Sequence, residues 1–340
     1  MPTLYINGRD VEARLDDRRV SLAHFDYSKD DIKLSTVPIF DIERVVLIGY
    51  PKVSMQLLHH FIYQKIPVYF LSPHGRWVSS MLPNVDGNAL RRLHQYDAAR
   101  DRDMSLMAAK QVIFAKIRNM RRVLQRLAAN RSQSYEDEQR DACNSLQDLA
   151  IKVKDADSPD SVRGYEGMAT AIYFRRLAVF FPPELPFVSR NRRPPRDAAN
   201  AILSWTYSIV LAEIEAEIRC AALDPCIGFL HEISHGRPSL ALDLLEPLRA
   251  PLADLLALNL INHKLLRQEH FENNPEDGGV YLKNTSLKLF FSEYEQYMER
   301  FFAATKGGSR VTFRRVIKNM VNAVCNMIET KQEPQFFLMP

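Results

Sequence analysis

Residues 66–82, IPVYFLSPHGRWVSSML, and the six that follow, PNVDGN at 83–88, mark where this chain changes texture. The first stretch reads as two strands around a turn at Pro73-His74-Gly75, because β-branched and aromatic residues flank a Pro/Gly break. PNVDGN is rich in turn formers and reads as a linker. Upstream, IERVVLIGY (42–50) is a short apolar run closed by Gly49, which suits a buried strand. TLYINGRD (3–10) and RRVSLAHF (18–25) have strand-like alternation. VSMQLLHHFIYQK (53–65) reads as one helix, with Met55, Leu58 and Ile62 on one face.

Downstream of the linker the pattern is helical. Residues 89–130 carry apolar residues at helical spacing among good helix formers, and EDEQRDACNSLQDLAIKV (136–153) continues this. SPDS (158–161) reads as a break, and Glu166 to Phe181 as the next helix. The proline-rich FPPELPFVSRNRRPP (181–195) stops it. A long buried helix is expected in RDAANAILSWTYSIVLAEIEAEIRCAA (196–222). Ser239 is placed to cap the following helix, and Pro247 and Pro251 to kink or divide it. The expected fold is α+β: a small N-terminal β-rich domain over residues 1–82, a linker at 83–88, and a larger all-α C-terminal domain over 89–340.

Composition adds boundaries. The 340 residues suffice for two domains with a substantial core. No signal-peptide pattern opens the chain, and no apolar run is long enough to span a bilayer. The four cysteines are scattered, so reduced thiols and a cytoplasmic location are expected. A net charge of +4 does not by itself argue for nucleic acid. Two local clusters do offer phosphate contacts. RNRRPPR holds Arg190, Arg192, Arg193 and Arg196; residues 302–328 hold Lys306, Arg310, Arg314, Arg315 and Lys318 with no acid. For each cluster taken alone, a solvated loop or a solvated helix face is the favoured reading.

His231-Glu232-Ile233-Ser234-His235 matches the zinc-peptidase pattern H-E-x-x-H. That chemistry needs one helix through both histidines, so that both face one zinc with the glutamate beside its water. Gly236 and Pro238 end any such helix at once, and Pro238 and Ala241 occupy the places of the extended motif's Gly and third His. Asp243 and Glu246, three apart, share a helix face, although acids near a helix start are common without function.

Three segments in order shift the reading: YEGMATAIYF (165–174), the arginine-rich connection with its long helix, and GFLHEISHGRPSLALDLLEPLR (228–249). Together they resemble the CRISPR adaptation integrase family, the CRISPR-associated endonuclease numbered one in its series. VPIFDIERVVLIGY (37–50) and DGGVYLKNTSLKLFFSEYEQYM (277–298) extend the resemblance over most of the chain. The resemblance implies a metal site of Glu166, His231 and Glu246, with Asp243 either a further ligand or a partner behind the ligands. Glu246 stands where some relatives carry Asp. Glu232 and His235 carry no implied role.

One imidazole with two or three carboxylates suits Mg²⁺ or Mn²⁺ better than structural zinc. The implied reaction is attack by the 3′-hydroxyl of a short foreign DNA fragment on a phosphodiester of a CRISPR repeat. The implied partners are double-stranded DNA (the protospacer and the repeat with its leader), a second copy paired through the β domain, and the small second CRISPR-associated protein. Arg190, Arg192, Arg193 and Arg196 would hold backbone phosphates. Alternative readings are a transposon-encoded integrase of the same superfamily, a non-catalytic DNA-binding scaffold, and the zinc peptidase.

Overall fold

The computed structural model describes residues 3–26, 31–73, 77–82, 88–129, 136–191, 193–303 and 310–340. The chain divides into two compact units, Met1–Gly87 and Asn88–Pro340. The first is β-rich and the second is mostly helical, the α+β architecture expected from the change of texture at the linker.

The first unit holds two four-stranded sheets. One has the order β1 (Thr3–Asn7), β5 (Arg44–Ile48), β7 (Val68–Leu71) and β8 (Trp77–Met81), parallel except for the last pair. β5 is the apolar run IERVVLIGY, and four of its five residues are buried, as a strand covered on both faces must be. β7 and β8 form the expected antiparallel pair; His74 and Gly75 of its turn, like 83–87 of the linker, lie outside the described residues. The second sheet has the order β4 (Asp31–Pro38), β3 (Arg19–Asp26), β2 (Val11–Asp16) and β6 (Lys52–Val53).

α1 (Met55–Tyr63) buries Leu57 and Phe61, while Met55 is largely exposed. The face assigned from Met55, Leu58 and Ile62 is therefore off by about one residue, roughly 100° around the helix, and of the three Leu58 still packs against the core. Ser54 caps the helix by accepting from Leu57 N–H, and packing of Leu57 and Phe61 into the core leaves Met55 on the outside.

In the second unit the 89–130 segment is two helices, α2 (Ala89–Arg100) and α3 (Arg102–Ala128). Asp101 separates them by capping α3, its Oδ1 accepting from the N–H groups of Asp103 and Met104. α4 (Glu136–Lys154) follows. α5 (Pro159–Leu177) starts earlier than expected, because SPDS begins this helix: Ser158 is its N-cap and Pro159 its first residue. Glu166 therefore sits in the third turn of α5 and not at its start.

α6 (Ala198–Cys220) is the long buried helix, capped by Asp197. α7 (Ser239–Leu248) and α8 (Leu255–Asn262) are divided by a π-helical turn at 249–254. Pro251 has no N–H to give the carbonyl of Pro247, four residues back. Asn119 of α3 donates to that carbonyl instead, at 2.7 Å. Ser239 does not cap α7; its hydroxyl donates to the Glu232 carbonyl. α9 (Leu287–Glu299) and α10 (Phe313–Thr330) complete the unit. Among the described residues, no helix is long and apolar enough to cross a membrane.

Candidate functional site

The GFLH segment is built around one buried carboxylate. Asp243, in the second turn of α7, is 1% exposed. Its Oδ2 accepts from the N–H groups of Phe229 (2.7 Å) and Leu230 (3.0 Å), and its Oδ1 from that of His231 (3.0 Å). Three successive backbone N–H groups thus converge on one anion. Gly228 permits the approach: a Cβ there would meet Asp243 Oδ2 and the Ser239 carbonyl carbon, each at 2.7 Å. Gln95 of α2 braces the same loop through the carbonyls of Asp224 and Ile227 and the N–H of Asp224.

Asp243 Oδ1 also pairs with His231 Nδ1 at 2.6 Å. An ionised carboxylate only accepts, so Nδ1 carries the proton and Nε2 keeps its lone pair. Nε2 lies 4.0 Å from Glu246 Oε1. Of the two positions left open for Asp243, the geometry matches the partner behind the histidine.

Glu246 is buried at the end of α7. Arg249 Nε lies 2.9 Å from its Oε1, and Lys116 Nζ lies 2.6 Å from its Oε2. Burial pushes the Glu246 carboxyl up, but the charges of Arg249 and Lys116 outweigh it and hold the group down at about 2. Lys116 also pairs with Glu166 Oε1, which accepts from Thr170 Oγ1 at 2.9 Å. Glu166, Thr170 and Phe174 lie along one face of α5 and line the same cavity of about 730 Å³ as His231, Glu246 and Lys116. Three of the four expected site residues thus face one cavity, and Asp243 stands behind the histidine. Among the described residues, no group of three or more His, Cys, Asp or Glu is drawn close enough to hold a metal ion as placed. The ammonium of Lys116 lies between the two glutamates instead.

The arginine run divides. Arg193 lines the cavity. Arg196 donates to the carbonyls of Asp277 (3.3 Å) and Gly278 (3.0 Å). Arg192 lies outside the described residues. Arg190 corrects the expectation of a DNA contact: it turns inward, donating to Asn200 Oδ1 and Ser204 Oγ with its guanidinium 5.3 Å from the Tyr207 ring centre. Arg314 of the second basic cluster is buried among Glu213, Glu295 and Glu299, and Lys306 lies outside the described residues.

Sequence reasoning missed Lys116, Arg249, Tyr207 and Asp254. Tyr207, whose hydroxyl donates to Asp254, is sandwiched between Arg190 and Arg249; the Arg249 guanidinium is 4.5 Å from its ring centre. Burial is the main force raising the Asp254 carboxyl to about 6, against the Tyr207 hydrogen bond and the two arginines. Lys116 did leave a signal. It falls among Val112, Ile113, Ile117, Met120 and Val123, on the buried stripe of α3.

H-E-x-x-H is not helical. Residues 232–234 have no regular structure, and Glu232 and His235 are exposed. This removes the geometry a zinc peptidase needs.

An imidazole and two carboxylates inside a cavity walled by Lys116, Arg163, Arg193, Arg237 and Arg249 suit an anionic substrate, as in proteins that act on phosphodiesters. Comparison with known proteins identifies the class. The model of the family "CRISPR associated protein Cas1" matches residues 4–296, and the chain belongs to that family. A CRISPR-associated endonuclease Cas1 of Thermodesulfovibrio yellowstonii is 32% identical over 324 residues, covering 94% of this chain and 98% of the relative. One from Thermus thermophilus is 32% identical over 280 residues, covering 82% and 80%. Among solved structures, a casposase bound to its integration product shares 25% identity at a TM-score of 0.85, covering 100% of this chain and 94% of that one. A Cas1 protein from Thermotoga maritima shares the fold, at 22% identity and a TM-score of 0.78, with all of both chains covered.

Proposed function

We propose that this protein is a metal-dependent DNA endonuclease and integrase that inserts short foreign DNA fragments into a CRISPR repeat array by 3′-hydroxyl transesterification. The observation that carries the reading is the convergence of Glu166, His231 and Glu246, from three separate segments, on one basic cavity. Their donor set, one imidazole nitrogen and carboxylate oxygens, fits Mg²⁺ or Mn²⁺. When bound there, the cation supplies charge stabilisation at phosphorus and activation of the attacking oxygen.

The chain's own groups do the rest. Asp243 fixes the His231 ring with Nε2 toward the cavity. Arg249 clamps Glu246 from the side opposite Lys116. Arg163, Arg193 and Arg237 on the cavity wall draw the DNA backbone in and position it without reading sequence.

The partners follow the same reading: double-stranded DNA of protospacer and repeat, the small second CRISPR-associated protein, and a second copy of this chain. Related folds have been solved as a Cas1–DNA complex and within a Cas6-RT-Cas1–Cas2 complex. The edge strand β4 exposes Ile32 and Leu34, which supports pairing through the β-rich unit. A casposase-like transposon integrase is the second reading, favoured by the likeness to the casposase. Terminal inverted repeats beside the gene in place of a CRISPR array would support it.

The test is strand transfer of a labelled DNA fragment into a repeat-containing plasmid with Mn²⁺ or Mg²⁺. Branched products are expected from the native chain, with a loss of about 100-fold or more in Glu166→Ala and His231→Ala. Full activity in either variant overturns the assignment.

A further inference from the structure

Lys116 is the part of this site that a simple ligand set does not explain. Its side chain is 5% exposed, and Nζ pairs with Glu166 and with Glu246 Oε2 at 2.6 Å. A buried ammonium stays charged only with such partners, and two facing carboxylates stay ionised together only with a cation between them. The oxygens that Lys116 occupies belong to two of the three residues proposed to hold the divalent ion. Ammonium and metal ion therefore compete for the same atoms.

The surroundings favour exchange over permanent pairing. Glu246 cannot follow a departing ammonium, because Arg249 holds its other oxygen at 2.9 Å. Glu166 is steadied by Thr170 Oγ1 at 2.9 Å. Lys116 itself lines the cavity, so a swing about its flexible stem carries Nζ into open space. The new anion it meets there is the phosphate of bound DNA.

We infer that Lys116 is an exchangeable countercharge: it holds the Glu166 and Glu246 carboxylates in place, yields them to the divalent ion, and then pairs with a DNA phosphate. This makes Lys116 a positioning residue before the ion binds and a substrate contact afterwards. It also couples the two ligands reciprocally, each tightening the other. The inference rests on the metal-centre reading above.

The experiment is calorimetric titration of the full chain with Mn²⁺ alone, alongside thermal unfolding with and without Mn²⁺. Lys116→Met is expected to bind Mn²⁺ about tenfold tighter than the native chain, because the competitor is gone. Its melting temperature without metal falls, and its gain on adding Mn²⁺ exceeds the native gain. Lys116→Arg, whose rigid fork stays on the acids, binds Mn²⁺ more weakly. If Lys116→Met does not fold, Lys116→Gln carries the same expectation, since its amide is neutral.

With the metal-loaded protein, the dependence of log Kd for a short DNA duplex on log salt loses about one phosphate contact in Lys116→Met, and none without metal. Unchanged or weaker Mn²⁺ binding by Lys116→Met overturns the exchange, and an unchanged salt slope overturns the phosphate contact. If neither the native chain nor Lys116→Met binds Mn²⁺, the metal-centre reading itself falls.

Discussion

Two buried clusters in the helical unit use the same ingredients to opposite ends. In one, Arg314 of α10 meets Glu213 of α6 and Glu295 and Glu299 of α9, and Tyr294 donates to Glu213 at 3.0 Å. In the other, Lys116 meets Glu166 and Glu246. Both cations are under 10% exposed. Arg314 spreads a planar fork over three carboxylates and ties three helices together. Lys116 offers one compact charge at the wall of a cavity. A fork matched to several acids is a lock, whereas a point charge on a flexible stem is a placeholder that another cation can replace.

The largest expected effect tests the lock. Arg314→Met removes the guanidinium that Glu213, Glu295 and Glu299 share, and breaking such a buried group costs about 3–5 kcal/mol. Urea unfolding should show this, and Mn²⁺ should not restore it. Stability recovered by Mn²⁺ in Arg314→Met would erase the distinction from Lys116→Met.

Asp254 extends the comparison to an acid approached by neutral phenols, Tyr207, whose hydroxyl donates to it, and Tyr173. Its carboxyl rises from 3.8 to about 6, mainly through burial. A raised folded-state value means that the native chain holds its proton where the unfolded chain has lost it. Its share of stability is therefore present below about pH 4, declines as pH rises to about 6, and stays low above that. The span is on the order of 3 kcal/mol. Asp254→Asn removes this slope, so the difference in unfolding free energy between native and variant chains should shift in the variant's favour across that window. A flat difference would mean that Asp254 is ionised in the fold without penalty.

These clusters also show which parts of the molecule were legible in the sequence. The β5 run, the texture change after β8 and the proline division of α7 from α8 are local, and each was readable. β4 was not read, because its residues 31–36 are exposed and hide the alternation of a half-buried strand. The start of α5 was misplaced because Ser-Pro was taken as a stop when it is also a helix opening.

At the candidate site, Glu166, His231 and Glu246 were proposed through family resemblance, and the fold brings them to one cavity. Spacing alone could not join residue 166 to residue 246. Lys116 was visible as a lysine on an apolar stripe, but only the fold reveals that the two glutamates face it. Asp243 looked like an ordinary acid near a helix start, because the three N–H groups it gathers come from a loop more than ten residues upstream.

Asp243 supplies the next test. Asp243→Asn keeps the shape, but it loses the charge that draws the N–H groups of residues 229–231 and His231 Nδ1 together. A change behind a ligating histidine costs about 10- to 100-fold in metal affinity. Mn²⁺ titration should show that loss, whereas Lys116→Met shows a gain. Opposite signs from two neighbours of the same ligand set would separate the residue that builds the site from the residue that competes for it.

The smallest effect belongs to Glu232, the acid that the H-E-x-x-H letters would make catalytic. Its side chain is 80% exposed, and the Arg163 guanidinium is 4.0 Å away. An exposed pair of that length contributes about 0–1 kcal/mol. Glu232→Ala should therefore leave unfolding within about 0.5 kcal/mol of native. DNA cleavage and strand transfer should also be unchanged, and no zinc-dependent peptide cleavage should appear in either protein. Loss of DNA chemistry in this variant would place an exposed acid on a level with the buried ones. That would contradict the physical distinction between the clusters, in which the buried carboxylates are held in position by a buried cation, a histidine or converging N–H groups and Glu232 is held by none of these.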